Sequence, residues 1–367
     1  MLPLRLRKRA PSWCNLWKIT LVLVVVGVLC CIQIPKSSKV TFYISPGTRL
    51  GVASVDIVDE ISVDLQTKPV TNYAKYSWFN ATCRHRYDYR ELNRPRGECR
   101  GLEFLAVVTS AVQNVEKRSA IRQTWAKQLE TSGAPGRNRV IFILGYRPTL
   151  QNIVQREASK YGDILQFAFN DTYRNATLKS VMMLQWAAGC QPTYLVKSDD
   201  DTMINVIQLR QKIRRLSSAS ASFVAGAPLF GQKPIRSASK WVLTKEEYPD
   251  ETFPDYIAGC LYVMSGNNLT AMYEEALHTC PISIEDVFVT GFLPAKLGIP
   301  RFGLTGISTW WFPDACAMHD MAGVHYQTPD SIRMLDRILR FTTRHCTSAL
   351  GLFSVCRCVP YISGVSW

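Results

Sequence analysis

From about residue 102 the chain alternates short apolar runs with longer stretches of helical periodicity, and this alternation restricts the fold more than any other feature. Residues 104–109, 139–144, 164–169, 194–196 and 223–227 are apolar runs of strand length. Between them, 115–128, 150–161, 177–188 and 205–216 carry the spacing of helices, and Asn114 can cap the first. Near-continuous apolar strands separated by helices are buried on both faces. The expected fold is therefore α/β, a Rossmann-like, mostly parallel sheet with helices on both sides. A further strand at 262–264, a helix at 269–277 and a helix at 285–297 complete the pattern.

Within this frame one acidic run stands out. Asp199, Asp200 and Asp201 follow directly on the apolar segment 193–198, at the end of an expected strand. Ligands of open α/β sheets bind beyond the carboxyl ends of the strands. Carboxylate oxygens are ligands for Mg²⁺ or Mn²⁺, and a nucleotide diphosphate can complete the shell of either ion. The same run also fits a solvated acidic turn, and spacing alone leaves the two readings even. Lys197 just before the run and the acidic pair Glu285-Asp286 downstream point toward metal-assisted chemistry on a phosphorylated substrate.

Other candidates are weaker. Arg118 and Arg122, with Lys117, lie near the start of the first helix, and four-residue spacing puts the arginines on one face. They can grip a diphosphate or simply form a solvated basic face. Glu285 and Asp286 at a helix start can include a general base, although acids there also suit the helix dipole. His319 and His325 are candidate metal ligands outside any zinc pattern.

The termini and cysteines suggest a compartment. The formal net charge is +14, and the first 18 residues contribute Arg5, Arg7, Lys8, Arg9 and Lys18 without an acid. The remaining excess suits an anionic substrate or solubility, and no basic-aromatic motif of a nucleic-acid reader is present. Residues 19–34 form an apolar run after that basic cluster, expected to be a transmembrane signal-anchor with a cytoplasmic tail at 1–18, with a cleaved signal peptide as the rival reading. Residues 35–98 lack sustained periodicity and are expected to form a lumenal stem. The catalytic domain is expected at 99–346, with an irregular C-terminal tail at 347–367. Of the 12 cysteines, Cys83, Cys99, Cys190, Cys260, Cys280, Cys316, Cys346, Cys356 and Cys358 follow the anchor. Their number is odd, so at least one is free or pairs between chains. Sequons beginning at Asn80, Asn170, Asn175 and Asn268 agree with a lumenal location.

Ordered blocks then resemble a known family. Phe104 to Ser110 followed by Lys117 to Trp125 resembles the opening of the β1,3-galactosyltransferases, inverting glycosyltransferase family 31. Asp171 to Lys179 is similar to its D-x-Y-x-N-L-T-L-K stretch, and Lys197 to Asp201 to its K-x-D-D-D. Lys240-Trp241, Phe253 to Tyr256 and Gly259 to Ser265 resemble its K-W…Y-P-x-Y…G-x-x-Y-V-x-S segment. Glu285 to Gly291 resembles its E-D-V block, and Val324-His325 to Pro329 its late V-H…P segment. The blocks span roughly 102–340. Departures occur at Ala168 to Asn170, Ala176, Cys260, Phe292 and Pro294, and they leave the metal and base motifs intact.

The resemblance implies a GT-A fold, a UDP-sugar donor and a divalent metal, Mn²⁺ or Mg²⁺. By motif, Asp201 is implied as the main metal ligand and His325 as a second. Asp199 and Asp200 would help place metal and nucleotide, Arg118, Arg122 and Lys179 would lie near the donor, and Asp286 would be the catalytic base. The implied activity is transfer of galactose from UDP-galactose to an acceptor glycan on glycoprotein or glycolipid, with inversion. The implied setting is a single-pass type II Golgi membrane protein, with homo-oligomerisation left open. Alternatives are a β1,3-N-acetylglucosaminyltransferase of the same family, a catalytically silent lumenal glycan-binding or chaperone protein, and a metal-dependent nucleotide phosphohydrolase.

Overall fold

The structure is a computed structural model, and it describes residues 73–237, 239–309 and 317–342. Its main body is an eight-stranded sheet built from β1 (Glu91–Asn93), β2 (Phe104–Thr109), β3 (Asn138–Tyr146), β4 (Ile164–Asn170), β5 (Tyr194–Asp199), β7 (Val224–Leu229), β8 (Tyr256–Ser265) and β9 (Arg301–Gly303). The strand order is β1-β4-β3-β2-β5-β8-β7-β9. Strands β4, β3, β2 and β5 run parallel, whereas β8 is antiparallel to both β5 and β7. A second sheet of three short strands joins β10 (Ile307–Ser308), β11 (Gly323–Val324) and β6 (Met203–Ile204).

The helices are α1 (Val115–Gln123), α2 (Trp125–Thr131), α3 (Gln151–Tyr161), α4 (Ala176–Cys190), α5 (Val206–Ala219), α6 (Leu269–His278), α7 (Leu293–Leu297) and α8 (Pro329–Thr342). They cover both faces of the sheet, as the apolar strands require. Strand β2 shows why: Leu105 and Val107 enter one core with Val181 and Met183 of α4, while Phe104, Ala106 and Val108 enter another with Ile121 of α1. Alternate residues of a strand point to opposite faces, so an all-apolar strand needs cover on both.

The chain runs outward from β2 through β3 to β4, then returns to place β5 on the other side of β2. That reversal leaves a crevice beyond the carboxyl ends of β2 and β5, where Thr109 is paired in register with Asp199.

Several local expectations shift. The helix expected at 115–128 breaks at Thr124, whose backbone leaves the helical region. The break lets the buried indole of Trp125 donate from Nε1 to the Thr202 carbonyl, 3.2 Å away. Strand β8 is far longer than the expected 262–264, because the small residues Ala258, Gly259 and Cys260 carry no strand signature of their own. The helix expected at 285–297 contains a π-helical stretch, Val287–Phe292. There Thr290 Oγ1 donates to the Asp286 carbonyl (2.6 Å) and bonds the backbone of Ile257, sewing the helix to β8.

Residues 73–98, which the sequence assigns to a stem, build on the same body. Strand β1 pairs with β4, Trp78 stacks on Phe292 with ring centroids 4.1 Å apart, and Cys83 is bonded to Cys280. A second disulfide joins Cys99 to Cys190, and Cys260 is free and buried.

The expectation of a single-pass Golgi membrane protein is corrected here: no helix among the described residues is long and apolar enough to cross a membrane. The run at 19–34, the tails at 1–18 and 347–367 and the first part of the stem lie outside the described residues.

Candidate active site

A cavity of about 900 Å³ opens at the crevice between β2 and β5. Its wall includes the three aspartates, Lys179, His325 and Asp286. These residues come from four separate stretches of sequence, and each reaches the cavity for a definable reason.

The three aspartates have different partners. Asp199 ends β5, and its Oδ1 accepts hydrogen bonds from Thr109 Oγ1 (2.9 Å) and Lys197 Nζ (2.6 Å). Asp200 turns toward the start of α1. It accepts from Ser110 Oγ (2.7 Å), Asn114 Nδ2 (2.8 Å) and Lys117 Nζ (3.1 Å). The Asn114 side chain is thus spent on Asp200, not on capping α1. Asp201 lies 3.2 Å from Lys117 Nζ and 3.1 Å from His325 Nε2.

His325 arrives through the small sheet. Strand β11 pairs antiparallel with β6, with Val324 opposite Met203, and this sets the next residue beside Asp201. Gln327 N donates to the Asp201 carbonyl at 2.8 Å and fixes the turn. Between them, Tyr326 takes a left-handed backbone with φ 61°, rare for a residue with a side chain, and stacks on His325 at 3.9 Å. Strain of this kind recurs at functional sites.

Asp199, Asp201 and His325 each offer one ligand atom, and these atoms lie within 4.8 Å of one another. Two carboxylates and an imidazole fit a divalent cation. The nitrogen donor suits Mn²⁺ better than Mg²⁺, which favours an all-oxygen shell. Burial alone would raise the Asp201 pKa, but the hydrogen bond from His325 and the charge of Lys117 outweigh it and bring it down to about 2. Asp201 is therefore ionised across the physiological range.

Asp286 stands at the start of the π-helical stretch. Its Oδ2 accepts from Gly259 N (3.1 Å) and its Oδ1 from Val287 N (3.0 Å). Burial and the adjacent charge of Glu285 push its pKa up from 3.8 to about 7, against the opposing pull of Lys197. A carboxylate with that affinity for a proton is suited to general-base work at neutral pH. Glu285 also lines the cavity, and its Oε1 accepts from Ser180 Oγ (2.6 Å) and Tyr262 OH (2.7 Å).

Two expected donor contacts move elsewhere. Arg118 is fully buried, 0% exposed, and bonds Glu157 at 2.7 Å, Ser110 Oγ at 2.9 Å and the Ala111 carbonyl at 2.7 Å. Arg122 pairs with Glu157 and Asp163, each at 2.7 Å. Neither arginine lines the cavity. Acidic partners on α3 and just after it consume both guanidinium groups, so Arg118 shapes the 110–112 loop from behind. Lys179 does reach the cavity, but its Nζ is engaged by Asp171 Oδ1 (2.6 Å) and the Ser110 carbonyl (2.7 Å).

A family model described as Galactosyltransferase matches residues 116–305, more than half of the chain. The Beta-1,3-galactosyltransferase 5 of Gorilla gorilla gorilla is 32% identical over 260 residues, covering 68% of this chain and 86% of that protein. The chain belongs to the galactosyltransferase family. The Beta-1,3-galactosyltransferase 1 of Mus musculus is 29% identical to this galactosyltransferase over 251 residues, 66% of this chain and 76% of that protein. Among solved structures, S. aureus TarS 1-349 in complex with UDP-GlcNAc matches 68% of the chain and 74% of its own, at 10% identity and a TM-score of 0.35. So low a score carries no weight in the assignment.

Sequence reading missed several residues of the galactosyltransferase site. Tyr173, Trp241 and Tyr326 line the cavity, and Lys240 Nζ sits 5.1 Å from the Tyr173 ring and 4.6 Å from that of Trp241. All three fall inside family blocks, at 171–179, 240–241 and 324–329, but no local pattern marked any of them as lining the site.

Proposed function

We propose that this galactosyltransferase moves galactose from UDP-galactose to a hydroxyl of an acceptor glycan, forming a β1,3 bond with inversion, on a GT-A arrangement of the sheet. Its catalytic domain is taken as 99–346, with the packed residues 73–98 supporting it. One observation carries the reading: an Asp-Asp-His ligand cluster and a carboxylate with pKa near 7 share one cavity. The names of the relatives support the sugar and the linkage.

Asp199, Asp201 and His325 would hold Mn²⁺ or Mg²⁺. A bound cation supplies charge stabilisation to the diphosphate as it departs. Asp286 takes the proton of the acceptor hydroxyl as that oxygen attacks the anomeric carbon. The bond to the UDP oxygen breaks on the opposite face, so one displacement inverts the centre and no covalent enzyme intermediate forms. Asp200, Ser110, Asn114 and Lys117 orient the aspartate turn, leaving its neighbours aimed into the cavity.

The test is incubation of the protein with a panel of UDP-sugars and glycan acceptors, with Mn²⁺ and with chelator. The expected product is a β1,3-galactoside formed only with metal. Transfer of N-acetylglucosamine instead would replace the donor assignment. Release of free sugar and UDP with no acceptor product would refute transfer altogether.

A further inference from the structure

Lys197 is buried in β5, 2% exposed, in the middle of the sheet. Its Nζ donates to Asp199 Oδ1 at 2.6 Å and to the Gly259 carbonyl at 2.5 Å, and Glu285 Oε2 lies 3.6 Å away. The amide of the same Gly259 donates to Asp286 Oδ2 at 3.1 Å. One residue of β8 therefore faces the lysine with its carbonyl and the carboxylate with its N–H.

The approach is tight enough that any side chain at Gly259 must move its neighbours by a few tenths of an ångström. A Cβ at Gly259 would lie 3.2 Å from Glu285 Oε2, 3.3 Å from Asp286 Cβ and 3.4 Å from Asp286 Oδ2. A methyl group there pushes against the carboxylate itself.

We propose that Lys197 is a positioning residue that sets Asp286 relative to the ligand Asp199, acting through the backbone of Gly259. Lys197 fixes the separation between the half of the site that holds the leaving group and the half that deprotonates the acceptor. This rests on the reading of Asp286 as the base. Small misplacements of a reacting group are costly: about 1 Å can lose a hundredfold in rate.

The test uses the full chain with Lys197→Met and Gly259→Ala, assayed for kcat, donor KM, the pH profile of kcat and thermal melting. The groups facing Asp286 are Glu285 beside it, Lys197 on β5, Tyr256 and Cys260 on β8, and Tyr173 before α4. Of these only Lys197 is a cation. Lys197→Met is expected to lower kcat about a hundredfold and to move the acidic limb of the profile upward by about one pH unit. Gly259→Ala is expected to lower kcat about tenfold with the limb in place, and in both the donor KM stays within about threefold. Should Lys197→Met fail to fold, Lys197→Arg retains the charge and is expected to lower kcat with the limb unmoved. Wild-type kcat in Lys197→Met or Gly259→Ala, or a kcat loss in Lys197→Met with an unmoved limb, overturns the proposal. So does a displaced limb in Lys197→Arg. An Asp286→Asn control separates the premises: if that variant is active the base assignment fails, whereas an inactive control beside a fully active Lys197→Met removes the clamp alone.

Discussion

Replacing Asp286 with Asn should cost activity and, at neutral pH, add stability. The carboxyl titrates near 7 in the fold against an ordinary 3.8. At ~1.4 kcal/mol per pH unit, ionising it there costs about 4 kcal/mol. The group faces the cavity, and solvent screening reduces this to about 3 kcal/mol. The sign follows from the raised value: the protonated form suits the fold, so its contribution is whole below pH ~4 and is lost as pH climbs through ~7. Asn escapes that loss but keeps only one acceptor oxygen. Asp286 accepts from both Gly259 N and Val287 N, and one of these bonds then goes unmade, for about 1 kcal/mol. The variant should therefore be less stable than the parent by about 1 kcal/mol near pH 4 and more stable by about 2 kcal/mol near pH 8. Urea melts at the two pH values measure this directly. A stability difference of the same sign and size at both would refute the assignment of a strained, proton-hungry carboxylate. Transfer by the variant should fall by ~10²–10⁴-fold, the share of a general base.

Further outcomes bear on the rest of the site. For the unmodified protein, kcat should rise with pH through ~7 as Asp286 loses its proton; a rate flat from pH ~5 to ~8 counts against the base. Removing metal with chelator should abolish transfer, and Asp201→Ala or His325→Ala should raise the Mn²⁺ needed for half-maximal rate by about tenfold or more, whereas an unchanged metal titration would strike the residue from the ligand set. Arg118→Ala leaves Glu157 paired with Arg122 alone and removes charged hydrogen bonds worth ~1.5–3 kcal/mol, so it should lower stability by about that much while leaving the donor KM of the folded enzyme unchanged; a raised donor KM with intact stability would return Arg118 to the donor site. Cys83 and Cys280, 197 residues apart, should contribute ~2–5 kcal/mol, so the double serine variant should melt lower, and an unmoved melt would show that the segment around Cys83 adds nothing to the body.

The sequence carried what depends on local pattern. The apolar runs determined a doubly covered sheet, because a strand with no polar face cannot sit at a surface. The position of Asp199 to Asp201 after one such run placed the site at strand ends, and the ordered blocks pointed to the family. Wherever charge had to find its partner, the sequence alone was insufficient. Spacing put Arg118 and Arg122 on one helix face, but only packing decided that the face meets Glu157 and Asp163 and not a diphosphate. Three adjacent aspartates read alike in sequence, yet the register of β2 against β5 sends Asp200 to α1 and leaves Asp199 and Asp201 for His325. His325 lies over a hundred residues from those aspartates and reaches them through a pairing of two-residue strands that no periodicity reveals. The proton affinity of Asp286 is likewise a tertiary property, since it comes from burial and from Glu285 under the influence of Lys197 on another strand. Sequence names the chemical groups; folding sets their distances and their dielectric surroundings, and those determine the partners and the proton affinity of each aspartate.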